Sequence, residues 1–373
     1  MRPAEQLEAL LQSAVAAGAS DLHLVAGLSP YLRVQGALAP RAEDPPLEAE
    51  TLASLVDVLV GAQGRSGLAR HGTYDGAWSG AGARFRFNVA RRQGGLSVAL
   101  RRLEDRFRSL EELGLPSELH ELTELGDGLV VVAGPTGSGK STTLATLIDR
   151  INRERAAHVI TIEDPIEYLH RPQRALINQC QVGLDVDSFD AALVAALRQD
   201  PDVILVGEVR ELNTIRTAIT AAETGHLVLT TVHAGDCVSA VERLIAVFPE
   251  AEQQGIRRQL GFVLRAVIAQ HLVSADGTRF EGAARQRVLV SEVLRVNAAV
   301  ANLVAQGKPN QIYSVMETGG AFGNRTLESE LARLWREGWL SERTALGLAR
   351  NPQTVKDQHR LARGTRRSTG RTL

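Results

Sequence analysis

Two different spacings of apolar residues divide the chain. In residues 5–17, Leu7, Leu10, Leu11, Ala14 and Val15 recur at helical spacing and predict a helix with one apolar face. After Gly18 the pattern changes to short alternating segments set off by turn residues: DLHLV (21–25), YLRVQGAL (31–38), GTYDGAW (72–78) and ARFRFNVARR (83–92). A second helical periodicity, TLASLVDVLV (51–60), lies among them. Residues 1–105 are expected to form a small α+β domain, and 106–126 a linker with helical content.

From residue 127 the apolar runs become continuous. GLVVVAG (128–134), HVITIED (158–164), DVILVG (202–207) and HLVLTTV (226–232) have the valine-rich character of strands buried on both faces. Helical stretches at 140–154, 189–199 and 211–224 separate them, the last ended by Gly225 in the position of a C-terminal cap. Strand and helix in alternation predict a parallel sheet with helices on both sides, over residues 127–275. Beyond residue 250 the periodicity is helical, in AEQQGIRRQLGFVLRAVIAQHLV, NAAVANLVAQ, LESELARLWREGWL and SERTALGLAR, with a turn at 274–280 and room for a strand at 286–293. Residues 276–352 are expected to be mostly helical. Residues 353–373 are expected to be a basic, disordered tail, since from 356 on they carry six basic groups against one acid and show no apolar period.

Composition narrows the function. A chain of 373 residues suggests about two domains. Its 42 basic and 43 acidic side chains nearly cancel, which argues against a nucleic-acid partner. Only Lys140, Lys308 and Lys356 are lysines, so a lysine inside a motif carries weight. Cys180 and Cys237 are too few for a disulfide framework or a four-cysteine zinc site, and read as plain thiols of a reducing compartment. No apolar run approaches the roughly 18 residues of a membrane span, and the glutamates of MRPAEQLEAL do not suit a signal peptide. A cytoplasmic protein is expected.

Residues Gly134-Pro135-Thr136-Gly137-Ser138-Gly139-Lys140-Ser141 fit the phosphate-loop pattern G-x-x-x-x-G-K-[ST], and Thr142 continues it into a helix. Glycines allow the tight turn that aims backbone N–H groups at phosphate oxygens, and the helix N-terminus adds partial positive charge. Lys140 would reach the β- and γ-phosphates of ATP, the Ser141 hydroxyl would ligate Mg²⁺, and Glu208 would hold the magnesium shell or polarise the attacking water. Glu208 ends DVILVGE, an acid at the carboxyl end of a buried strand, where open parallel sheets bind ligands. Glu163, Asp164 and Glu167 crowd the end of another strand, a repulsive arrangement unless a cation lies nearby, or else a solvated acidic loop. His226 and His233 bracket HLVLTTV and would face opposite sides of a strand, a poor metal pair.

These segments resemble the secretion ATPases of type IV pili and type II secretion, most of all the pilus retraction branch. GPTGSGKSTT (134–143) resembles the Walker A motif, TIEDPIEYLH (161–170) the acidic box, LRQDPDVILVGEVR (197–210) the Walker B motif and TAAETGHLVLTTVHAGD (220–236) the histidine box. ASDLHLVAGLSPYLRVQGAL (19–38) and ARFRFNVA (83–90) resemble the branch's N-terminal domain, and RLIAVFPE (243–250) a later segment. The resemblance implies an α/β fold: a PAS-like N-terminal domain, a RecA-like P-loop ATPase core and a helical C-terminal region, assembled as a homo-hexamer. It makes Glu208 and Glu163 the acids that handle magnesium and the attacking water, without deciding which is the base. It assigns His226 and His233 to the phosphate side, and Arg86 and Arg101 to the phosphates from the N-terminal domain. Partners would be a pilus platform protein of the inner membrane and a paralogous ATPase ring, with the protein peripheral to that membrane.

Two segments depart from the family pattern. Where the branch carries an A-I-R-N-L-I-R-E-like helix, this chain has Ala299-Val300-Ala301-Asn302-Leu303-Val304-Ala305-Gln306, and the Q-R-L-L-type segment reads Gln270-His271-Leu272-Val273. Ala301 and Ala305 share one helical face, which without the arginines would offer a partner fewer ion pairs. The expected function is a hexameric ATP-hydrolysing motor that powers or assists pilus retraction. The alternatives are an accessory nucleotide-regulated ring subunit, or an assembly or type II secretion ATPase. The absence of a tetracysteine element counts against the last.

Overall fold

A computed structural model describes residues 2–368, apart from 35, 42, 93–94, 104–105 and 281–286. The chain divides into two compact units, Met1–Arg106 with Glu167–Leu169, and Phe107–Ile166 with His170–Leu373.

In the first unit the elements are α1 (Pro3–Ala16), β1 (Asp21–Val25), β2 (Tyr31–Val34), β3 (Ala37–Pro40), α2 (Ala49–His71), β4 (Thr73–Gly80), β5 (Ala83–Arg92) and β6 (Gly95–Arg102). The strands form one antiparallel sheet in the order β3-β2-β1-β6-β5-β4. Alternation along β5 sends Phe85, Phe87 and Val89 into a core shared with Leu7 and Leu11 of α1 and Leu52 and Leu55 of α2. Burying such side chains contributes roughly 1.5–3 kcal/mol each. The helical period read over 51–60 extends to residue 71, with a break at Gly61. Strand β6, where Leu96, Val98 and Leu100 alternate with Ser97, Ala99 and Arg101 after Gly94-Gly95, adds a strand beyond those expected and pairs with both β1 and β5.

The second unit holds β7 (Gly128–Ala133), α3 (Lys140–Glu154), β8 (His158–Glu163), β9 (Leu176–Gln181), α4 (Phe189–Ala196), β10 (Val203–Val206), α5 (Leu212–Glu223), β11 (Leu227–Val232), α6 (Cys237–Ala246), α7 (Glu250–Val263), β12 (Leu264–Ser274) and β13 (Arg287–Arg295). They build a seven-stranded sheet of order β13-β12-β7-β11-β10-β8-β9, parallel except at β12–β13. All six residues of β7 and of β11 are buried, as continuous apolar runs require. Along β7, Leu129, Val131 and Ala133 face one core, while Val130 and Val132 face another that packs Leu144, Leu147 and Ile148 of α3. The sheet is therefore covered on both sides.

Three expectations change here. The apolar stretch 264–273, read as helix, is strand β12, seated between β7 and β13; a short apolar run satisfies either period, and pairing with β7 decides it. With β13, which takes the place left open for a strand at 286–293, it carries the ATPase sheet past the expected boundary at residue 275, and the segment beyond β13 is mostly helical as expected. The linker 106–126 buries Leu110, Leu115, Leu119 and Leu122 in the α3-side core and is part of the second unit.

Among the described residues five α-helices follow: α8 (Ala298–Ala305), α9 (Pro309–Thr318), α10 (Leu327–Arg336), α11 (Glu342–Leu348) and α12 (Pro352–Ser368). The last occupies most of the expected disordered tail, as far as Ser368. Val355 is buried, and His359 stacks on Trp335 at 3.7 Å between centroids, so one helical face is anchored despite the basic composition. Residues 369–373 of that tail lie outside the described residues. On α8, the small residues have a packing role. A Cβ on Gly261 of α7 would lie 2.7 Å from the Ala301 carbonyl oxygen and 3.3 Å from the Ala305 Cβ. Glycine and alanine thus let α7 and α8 approach closely, and the face bearing Ala301 and Ala305 meets α7 instead of standing open to a partner.

Candidate functional site

The motifs converge on the carboxyl edge of the second unit's sheet. In strand order, Glu163 ends β8, Glu208 follows β10, His233 follows β11 and the phosphate loop follows β7. These are four neighbouring strands about 4.8 Å apart, so segments distant in sequence become adjacent.

The loop 134–139 turns from β7 into α3. Gly134 has φ +152°, and a Cβ there would fall 2.4 Å from Ser138 Oγ and 2.5 Å from the Gln270 carbonyl oxygen, so only glycine fits. Gly139, at φ +92°, starts α3 with no side-chain cap and no acid in the first turn. Ser138 is 2% exposed, and its hydroxyl has no hydrogen-bond partner among the described residues. An uncapped helix start beside an orphaned buried hydroxyl is a donor-rich concavity suited to phosphate. Lys140 Nζ donates to the carbonyls of Gly134 and Pro135, each at 3.0 Å, so its charge lies over the loop. Pro135, Thr136 and Gly137 are exposed, while Ser141 and Thr142 are half-buried in the first turn of α3.

Glu208 is gripped from two sides. Arg210 donates from Nε to Oε1 and from a terminal nitrogen to Oε2 at 2.6 Å, and His233 Nε2 lies 3.3 Å from Oε1. Hydrogen bonding to Glu208 raises the pKa of Arg210 further, with a smaller contribution from Asp164. Burial, and after it the charge of Lys140, lower the pKa of His233, while Glu208 pulls the other way. The lowering that Lys140 causes ties the loop, His233 and Glu208 into one electrostatic group. Glu163 accepts from Thr161 Oγ1 at 2.7 Å and from Gln179 Nε2 at 3.2 Å. Its backbone packs against Gly207, whose N–H donates to the Ile162 carbonyl at 2.7 Å, so the two acids sit on adjoining strand ends.

His226 is placed elsewhere. It precedes β11 at the amino edge of the sheet, with Nδ1 2.9 Å from the Ala221 carbonyl oxygen at the end of α5. The length of β11, roughly 20 Å at strand rise, separates it from His233. The two histidines mark opposite ends of one strand. Arg86 and Arg101 lie on the first unit in direct cross-strand register on β5 and β6, both exposed. Arg101 also faces Asp21 on β1 and donates to it at 2.8 Å. Burial opposes ionisation of Asp21, yet hydrogen bonds from Ser20 and Arg101 outweigh it and hold the carboxyl below its usual range.

Three positioning groups escaped the sequence reading. Arg210 stood inside a quoted motif without being singled out. Gln270, fully buried on β12, donates from Nε2 to Thr143 Oγ1 of α3 at 2.7 Å. Beside it, His271 Nε2 lies 2.8 Å from the Gly235 carbonyl oxygen, in the loop that carries His233. Gln270 and His271 stand out in the sequence as a departure from the family segment, but a helix over 264–273 gives no hint of these contacts. Cys237 is buried, with Sγ 3.3 Å from the Val267 carbonyl oxygen, and burial raises its thiol pKa well above the ordinary value. No helix among the described residues is long and apolar enough to cross a membrane.

Known proteins resemble this chain over most of its length. The type IV pilus retractation ATPase PilT of Pseudomonas aeruginosa is 39% identical over 345 residues, 92% of this chain and 98% of its own length. A twitching motility protein of Neisseria gonorrhoeae is 40% identical over 333 residues, 89% of this chain and 87% of its own. The crystal structure of the pilus retraction motor PilT with bound ADP superposes with a TM-score of 0.85 at 38% identity, covering 94% of this chain and 98% of that one. The family described as type II/IV secretion system protein matches residues 3–322, nearly all of the first unit and the second as far as its C-terminal helices, including every motif along the sheet edge. This chain belongs to the type II/IV secretion system protein family.

Proposed function

We propose that this protein is an ATP-hydrolysing motor of a type IV pilus, of the retraction kind, working as a ring of six. The observation that carries the chemistry is the row Glu163, Glu208, His233 and phosphate loop along one sheet edge, with Ser138 and the uncapped start of α3 at its end. Two curated relatives of about 40% identity, named for retraction and twitching motility, support the pilus assignment. Phosphates would bind the N–H groups of 136–142 and Lys140. Ser141 and Glu208 are hard oxygen donors that suit Mg²⁺, which binds through few protein groups and many phosphate or water oxygens. Bound there, the ion would neutralise phosphate charge.

The chain's own groups do the rest. Glu208, held in one orientation by Arg210, takes or orients the proton of the attacking water, with Glu163 beside it as the second acid. His233, kept neutral near pH 7 by its lowered pKa, can hydrogen-bond to Glu208 and to the phosphate side without adding charge. Arg86 and Arg101 supply permanent charge to the same phosphates, the role their resemblance assigns. Within one chain, His226 stands apart from this group and is left out of the reaction. The test is phosphate release and nucleotide binding by the unmodified protein, Lys140→Ala and Glu208→Gln, beside complementation of retraction-deficient cells. Turnover in the Lys140 variant would sink the ATPase reading. Active enzyme that restores no retraction, alone or beside a second motor, would sink the pilus reading.

A further inference from the structure

We infer that Arg350 is a positioning residue for the ATPase site, holding the loop that carries His233 from the C-terminal helices. The inference rests on the ATPase reading above and concerns a residue beyond the segment that the family profile matches.

Residues 233–236 join β11 to α6, and their neighbours determine where His233 can stand. Asp236 caps α6, accepting from Ser239 N at 2.7 Å. The next residue, Cys237, donates its N–H to Glu292 Oε1 at 3.2 Å. Glu292 lies on β13 and is only 3% exposed, so its carboxylate needs a cation close by. Arg350 supplies one, with a terminal nitrogen 2.8 Å from Glu292 Oε2 and 3.5 Å from Asp236 Oδ2. One guanidinium therefore touches both acids that fix the two ends of the Asp236–Cys237 peptide.

Arg350 is itself fixed. Its backbone N–H and that of Asn351 donate to Glu328 Oε1, each at 3.1 Å, and Glu328 is buried on α10. Its guanidinium lies 5.2 Å from the ring centre of Tyr313 on α9, a cation–π distance. The short connection between α11 and α12 is thus bolted to α9 and α10 on one side and to the His233 loop on the other. A planar fork with several donors can make these contacts at once; an ammonium cannot make them in the same geometry.

The experiment crosses Arg350 with His233. Arg350→Ala, His233→Ala and the double variant are assayed for kcat and for nucleotide affinity, with Arg350→Lys as the conservative exchange. Asp236→Asn serves as a variant expected to fold, because asparagine caps a helix as well as aspartate. Hydrogen–deuterium exchange over 232–239 is measured on the same samples. Expected are a fall in kcat of about tenfold for Arg350→Ala with affinity changed less than about threefold, partial recovery in Arg350→Lys, and faster exchange over 232–239 in Arg350→Ala and Asp236→Asn. In the His233→Ala background, Arg350→Ala should reduce kcat little further, since residues acting through one another are not additive. Additive losses, or unchanged exchange over 232–239, would overturn the inference while leaving the ATPase reading intact. Absence of turnover and nucleotide binding in the unmodified protein would overturn both.

Discussion

His233 Nε2 stands 3.3 Å from Glu208 Oε1, across the carboxyl ends of two adjacent parallel strands. Arg210 closes the other side of the same carboxylate. Glu208→Gln keeps the shape but loses the charge that gathers this cluster. It should retain nucleotide and lose at least about a hundredfold in turnover, the scale of a positioned acid–base group. Because burial and Lys140 lower the pKa of His233, turnover should hold to pH values below the ordinary histidine range before falling as the ring protonates. Phosphate release across pH 5–8, with His233→Asn beside the unmodified protein, checks this.

Arg86 and Arg101 oppose each other on β5 and β6, and among the described residues Arg101 has an acidic partner at hydrogen-bonding distance, Asp21. Replacing either with glutamine should lower turnover about tenfold or more, since permanent charge at developing phosphate charge is a large term. Melting temperature should change little for Arg86→Gln and somewhat more for Arg101→Gln. Unchanged kinetics in both variants would refute their role.

Burial lowers the pKa of His170 from 6.5 to about 4, on a ring stacked 4.7 Å from Phe107. The unfolded chain therefore takes up a proton at this site near pH 6.5, and the folded chain only near pH 4. Stability from this group is complete above pH 6.5 and is lost as pH falls towards 4, by about 3 kcal/mol at the limit. Urea midpoints measured from pH 7 to 4.5 should fall less steeply for His170→Phe than for the unmodified protein.

Gly261→Ala tests the α7–α8 contact. Inside a helix such a change ordinarily stabilises by about 0.8–1 kcal/mol. Here the added methyl would meet the Ala301 carbonyl at 2.7 Å, and overpacking of that kind costs about 1–3 kcal/mol. The net sign should reverse: a lower melting temperature, and a larger drop for Ala305→Arg.

The continuous apolar runs of β7, β8, β10 and β11 and the phosphate-loop pattern announce a parallel ATPase sheet without help from tertiary contacts, and the acids and His233 fall where those strands end. What the sequence hides is decided by pairing. Leu264–Ser274 has no period of its own strong enough to exclude a helix, and becomes a strand because β7 has an open edge beside it. The contacts of Gln270 with Thr143 and of His271 with Gly235 are lost with that misreading, although the two residues themselves stand out in the sequence. His226 looks equivalent to His233 on paper; only the direction of β11 puts one at the phosphate edge and the other at the far edge. The start of the basic tail is held through Val355 and His359, two residues at helical spacing amid polar neighbours, too sparse a signal to read in advance.

The seating of β12 beside β7 also orders events during synthesis. Residues 21–102 contain every strand of the first sheet, so that sheet can close early as the chain emerges. The strand that ends in the phosphate loop cannot: Val131 pairs with Val267, and Val267 in turn with Leu294. More than half of the second unit must leave the ribosome before β7 gains its second neighbour. A nascent chain stopped short of Leu264 would carry the whole Walker sequence with the apolar edge of β7 still bare, a species prone to stick to its own kind. Chaperone demand on this protein should therefore peak late in translation, long after the loop that binds phosphate has been made.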